Sequence, residues 1–339
     1  MTSAEGGRNA AGRPSLWFER VYARVGLPFW AGAILVGYVP FIAGLIVGYQ
    51  VAGLWDEFLS QLLTVHIPVA IGVFTSQLGA TYVCDRVERL REYARTMAEG
   101  DARIDVGPIY RLRWLLVVWL FLNVFGNGAY VISAGAKYTT SQLLLTQVST
   151  WPIMILFLAT FIWVFVGSMV AIYRMGQLPL RLRPFTEDRM LGLGPFARES
   201  LWLTAIYLVL VAEIAFPQIL SGAFGLPVAV MFLAFFPLAL AFFLLPLLPL
   251  RRKLREAKSE KLRWIGSEYS KVMRSVETIN GGVDELTAGR LMAIDKIQRD
   301  IRQIRTWPFE TGILARLAAI VVSVTAILLA SIVRLAIGI

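Results

Sequence analysis

Apolar residues in this chain come in runs of about twenty, the length an α-helix needs to cross the ~30 Å hydrocarbon core of a bilayer. Such runs lie at about 28–48, 64–84, 114–134, 151–172, 201–221, 226–250 and 313–339. Inside hydrocarbon every backbone N–H and C=O must find its partner within the segment, and that confines each run to a helix. The fold class expected is an all-α integral membrane protein with about seven transmembrane helices. Hydrophobic residues make up 57% of the 339 positions, well beyond what a soluble domain carries.

The connections fix a direction. Arg86, Arg89, Arg91, Arg95, Arg103, Arg111 and Arg113 follow the second run, and Arg174, Arg181, Arg183, Arg189 and Arg198 follow the fourth. Arg251, Arg252, Lys253 and Arg255 follow the sixth. The alternate connections hold at most Lys137; the one at 49–63 carries Asp56 and Glu57 and no cation. Because positive charge is retained on the cytoplasmic side, the amino terminus and the arginine-rich loops are expected in the cytoplasm, in an inner (plasma) membrane. The final run has Arg316 at one end and Arg334 near the other. If it crosses, as the affordable reach of an arginine side chain allows, the carboxyl terminus is outside.

One polar stretch interrupts this plan. Over 251–306, Leu262, Ile265, Tyr269, Val272, Val276 and Ile279 recur at steps of three and four, the seam of a packed helix. Asn280, Gly281 and Gly282 break the pattern, and a second seam runs through Val283, Leu286, Ala293, Ile297, Ile301 and Ile304. The expectation is a cytoplasmic antiparallel helical hairpin between spans six and seven, with Trp307 and Pro308 leading back to the membrane over 307–339. At the other end, 1–14 reads as a disordered tail. Over 15–25, Trp17, Phe18, Val21, Tyr22 and Val25 share one helical face, as in an amphipathic helix lying in the membrane interface. A shared Gly-Pro start before spans three and five (Gly107-Pro108 and Gly194-Pro195) hints at a parallel repeat of helical hairpins, although proline favours the first turn of any helix.

Charge and composition exclude much. The net charge of +10 sits in loops that meet anionic lipid, so nucleic acid is not an expected partner. With one cysteine, Cys84, and one histidine, His66, the chain forms no internal disulfide and lacks the usual ligand sets for zinc, copper or haem. No phosphate-cradling glycine loop, nucleophile elbow or metalloprotease histidine pair is present. No enzyme activity, cofactor or metal is expected.

Polar residues inside the spans are the candidates for function. Glu213 lies near the middle of span five, where an ionised carboxylate costs at least roughly 2.5–3.5 kcal/mol and must face protein or water, or take up a proton. Asn123, Asn127 and Tyr130 share a face of span three beside Gly126 and Gly128; Gln77 and His66 share a face of span two. By depth, Gln77, Asn123, Asn127 and Glu213 fall near the bilayer centre, with His66 above them on the outer side. They could line one polar pathway, with His66 as an external proton sensor, or form separate interhelical hydrogen bonds. Two functions therefore stand open. One is an ion or small-solute channel or transporter, expected to be a homo-oligomer. The other is a membrane-embedded scaffold or signalling component whose hairpin binds a cytoplasmic protein partner.

Overall fold

The computed structural model describes residues 13–100, 104, 106–134, 140–220, 237–278 and 285–309, with seven further positions between 312 and 326. They are helical almost throughout, with no strand among them beyond an isolated bridge between Ala98 and Leu180. Among the described residues four helices are long and apolar enough to cross a membrane: Phe29–Val51, Trp55–Met97, Trp151–Gln177 and Gly194–Glu213. A shorter apolar helical stretch covers Leu112–Val124. This architecture is compatible with a membrane-embedded protein. The first part of the sixth expected span, 226–236, and most of the seventh lie outside the described residues.

Helix α1 (Trp17–Val25) ends where Gly26 takes a left-handed φ of 73°, a conformation that costs glycine little. Its apolar face is not left to lipid. Phe18 and Tyr22 are buried, and Trp17 stacks on Phe157 while its indole N–H donates to Thr160 Oγ1 at 2.9 Å.

Helix α2 (Phe29–Val51) follows almost at once. A π-helical stretch, Ala33–Tyr38, lies just ahead of Pro40. Proline has no N–H to give and its ring collides with the carbonyl one turn back; a wider turn relieves both problems. Helix α3 (Trp55–Met97) repeats the device, with a π-helical Leu62–His66 ahead of Pro68.

The connection between α2 and α3 is shorter than the sequence suggests. The chain turns over 52–54, with Gly53 at φ 69° and the Leu54 N–H donating to the Tyr49 carbonyl. Trp55 already begins α3. At 43 residues that helix is about 65 Å long at 1.5 Å per residue, roughly twice the hydrocarbon thickness. Arg86, Arg89, Arg91 and Arg95, expected in a loop, are therefore on a helix that continues past the apolar run.

Helix α4 (Leu112–Ala134), introduced by a 3-10 turn at Gly107–Tyr110, packs chiefly on α5 (Thr140–Gln177). Helix α5 is the hub, touching α2, α3 and α4 through a buried row that includes Phe157, Phe161, Val164, Phe165, Ser168 and Ile172. Helix α6 (Gly194–Leu220) packs on α3. Its Gly194-Pro195 start is the first turn of the helix itself, whereas Gly107-Pro108 forms a separate 3-10 turn, so the two similar dipeptides do different work.

After a helical stretch at 237–244 and a 3-10 turn at Leu245–Leu247, α7 (Leu248–Thr278) runs out and α8 (Glu285–Arg302) packs against it. Lys258, early in α7, donates to the carbonyls of Arg302 and Ile304 at 2.7 Å, so the two helices run in opposite directions.

Candidate functional site

The polar residues singled out by depth are held separately. Gln77 is fully buried; its Oε1 accepts the Tyr22 hydroxyl and its Nε2 donates to the Val73 carbonyl. Gly37 of α2 lies so close that a Cβ there would overlap the Gln77 amide. Glu213 is half-buried, and Thr75 Oγ1 donates to its Oε2 at 2.5 Å. Asn123 gives its Nδ2 hydrogen to the Trp119 carbonyl of its own helix at 2.8 Å. Asn127 and Tyr130 lie on α4, but their side chains fall outside the described residues.

His66 stands apart from the others. It is buried, stacked on Phe58 and edge-on to Tyr49, with both ring centroids 5.0 Å away. Its Nε2 has no hydrogen-bond partner among the described residues. Gln77 and Glu213 both fall at the α3 surface, yet on different neighbours, α1 and α6. Among the described residues no bond joins any two of the candidates.

A second polar assembly escapes the sequence because its members are far apart in the chain. Arg13, within the stretch 1–14 expected as a disordered tail, is fully buried, and the rest of that stretch up to residue 12 lies outside the described residues. Its guanidinium clasps Glu19 with two bonds of 2.6 and 2.9 Å and reaches Asp85 Oδ1 at 2.5 Å. Glu19 also accepts the Leu16 N–H at 2.8 Å and the Thr81 hydroxyl at 3.2 Å. Burial by itself would lower the Arg13 pKa, but Glu19 and Asp85 outweigh it and raise it above the ordinary arginine value. Burial, then the nearby Glu19 charge, pushes the Tyr22 hydroxyl up as well.

These contacts set the course of α1. Arg13 meets Asp85, Glu19 meets Thr81, and Tyr22 meets Gln77. As one ascends α1 one descends α3, so the first helix runs antiparallel along the third for about two turns. The amphipathic helix expected at the interface is thus laid into the bundle. The only advance signal was local: Glu19 at the third position of the helix, suited to accept the Leu16 N–H.

A third assembly roots α7 and α8 in the bundle. The loop after α5 is tied to the end of α3: the Arg181 N–H donates to the Met97 carbonyl and the Glu99 N–H to that of Pro179. Tyr93 donates to the Gly192 carbonyl at 2.7 Å. From this loop Phe185 receives Lys261 of α7 over its ring at 4.4 Å, and the Arg189 carbonyl accepts the Arg305 N–H. Arg251 covers Trp307 at 4.2 Å, and Phe243 packs on Phe309. Burial lowers the pKa of both Lys253 and Lys261.

Farther along the pair, Trp264, Tyr269, Leu286 and Met292 are exposed, Met292 to 73%. Among the described residues no group of three histidine, cysteine or acidic side chains is placed to hold a metal ion. No protein-family model, curated protein or solved structure matches this chain.

Proposed function

We propose that this is a multi-pass membrane protein whose spans anchor and orient a cytoplasmic helical hairpin, α7 with α8, and that the hairpin recruits a protein partner. The observation that carries this reading is the contrast between the two polar regions. Gln77, Glu213 and Asn123 each bond to a near neighbour, as in a bundle that holds itself together. The hairpin, by contrast, is fixed at its base and offers Trp264, Tyr269, Leu286 and Met292 to its surroundings. Tryptophan and tyrosine supply large contact area at small cost in rotamer freedom, which suits a docking face.

Seven spans, with the amino terminus inside and the carboxyl terminus outside, complete the proposal. Its support is that the arginine-rich end of α3, the loop after α5 and the base of α7 gather at one end of the bundle, as positive-inside sorting requires. The outer rows of α2 and α4, with Val47, Val117, Leu120, Phe121 and Val124 exposed, suit lipid or a second copy of the chain.

Transport remains a second reading for one reason: Glu213 keeps a half-buried carboxylate in the expected mid-span with, among the described residues, a single bond from Thr75. Flux of protons, alkali cations and chloride in proteoliposomes, compared between the native chain and Glu213→Gln, separates the two. The anchor reading expects no flux above empty liposomes from either protein. A flux that falls with the substitution overturns it in favour of a pathway.

A further inference from the structure

We propose that the groove between the end of α5 and the start of α7 is a binding site for a phosphate headgroup, supplied by an anionic lipid. The groove has a volume of about 480 Å³ and is lined by Tyr173, Gln177, Leu248, Arg252, Lys253 and Glu256 among others. Its chemistry is uneven in an informative way. Among the described residues the one carboxylate on the wall, Glu256, already accepts Arg252 Nε at 2.8 Å. Lys253 is different: its ammonium nitrogen is buried and has no hydrogen-bond partner among the described residues.

A buried ammonium with three idle donors is a costly arrangement unless an acceptor arrives. The Glu256 and Glu99 charges lie near enough to favour its protonated form without bonding to it. An anion in the groove would draw the Lys253 ammonium out of the wall toward it, with Arg252 beside. A lipid phosphodiester, like a carboxylate, offers two oxygens that can take both cations at once, and the surroundings of the groove decide between them.

The apolar flank names the source. Leu245 and Leu248 near the start of α7, and Val170 and Tyr173 near the end of α5, are all exposed. They form an apolar border beside the polar groove. A headgroup in the groove could lay its acyl chains on that border, as basic pockets at the cytoplasmic ends of spans do with anionic lipids. The inference rests on the multi-pass reading above. Its test measures lipid binding alone, so it is independent of orientation and of any hairpin partner.

The full chain, purified in an uncharged detergent, is titrated with phosphatidylglycerol, phosphatidylcholine and inorganic phosphate, and bound ligand is counted by native mass spectrometry. One phosphatidylglycerol is expected to bind at least about fivefold more tightly than phosphatidylcholine, the worth of roughly one basic residue at an anionic surface. Lys253→Gln is expected to remove that preference; Lys253→Arg and the exposed control Arg263→Gln are expected to keep it. If Lys253→Gln does not fold, Arg252→Gln serves instead, since it frees Glu256 to occupy Lys253 and weakens the anion in the same way. Inorganic phosphate that binds alone and displaces the lipid assigns the same site to free phosphate. Equal affinity for the two lipids, or an unchanged preference in both Lys253→Gln and Arg252→Gln, overturns the proposal.

Discussion

Tyr22 of α1 donates its hydroxyl hydrogen to Gln77 of α3, fifty-five positions later in the chain, and both side chains are buried. The bond explains how a polar amide in the middle of an apolar run is tolerated: a side chain from before the first span satisfies it. Tyr22→Phe removes the donor and leaves the ring. The Gln77 carbonyl oxygen then stays buried and unmet, at a cost of about 1–3 kcal/mol. A lower midpoint of thermal unfolding in detergent is expected, and Tyr22→Phe combined with Gln77→Leu should recover much of the loss. A neutral single substitution would show that the bond contributes little.

The Arg13 clasp makes a larger prediction. Removing one partner of a buried ion pair leaves the other charge uncompensated, typically about 3–5 kcal/mol. Arg13→Ala is therefore expected to destabilise strongly and to loosen α1 from α3, since Glu19 is left nearly buried while Asp85 is the more exposed partner, 29% against 10%. Asp85→Ala should cost less, because Arg13 retains its two bonds to Glu19. A double-mutant cycle on stability, together with hydrogen exchange over Trp17–Val25, checks both claims. Equal losses from the two substitutions would contradict this ranking.

The helical class and several of the apolar helices were legible in the sequence. Run length gave the helix at Phe29–Val51 to within a few residues, whereas Gly194–Leu220 starts seven residues ahead of its apolar run; the break expected at Asn280, Gly281 and Gly282 lies outside the described residues. Helix ends were less legible where polarity and helicity part company. Apolarity stops at Cys84, but nothing in Asp85–Met97 ends a helix, so α3 runs on. The site was the least legible part. Depth alone put Gln77, Asn123 and Glu213 together, but whether side chains meet depends on rotation about each helix axis, and here they turn to different neighbours. Arg13 carried no periodic signal, and its pairing with Asp85 is a long-range fact that no local pattern encodes.

Lys253 predicts an alkaline signature. Burial lowers its pKa in the folded chain below the ordinary lysine value of 10.5, so between the two values the unfolded chain binds more protons than the folded one. Stability then rises with pH across that window. The penalty is fully present below the folded pKa and gone above the unfolded one. Lys253→Met should remove this rise, leaving a flatter curve of unfolding midpoint against pH as the ordinary lysine range is approached from below. A curve identical to that of the native chain would mean that Lys253 is not desolvated in the fold.

The placement of α7 and α8 yields a direct test of sidedness. Cys84 is buried, so maleimide labelling of the native chain should be near background and a new cysteine can be read against it. Ser275 lies near the end of α7 on an exposed stretch, its hydroxyl bonded to the Val272 carbonyl, and Ser275→Cys should leave the helix intact. In intact cells a membrane-impermeant maleimide is expected to miss it, and in inverted vesicles to label it fully. Labelling from the external medium would place the hairpin outside. The arginine-rich ends of α3 and α5 would then face outward too, because Tyr93, Met97 and Glu99 are bonded to the same loop that holds Lys261 and Arg305.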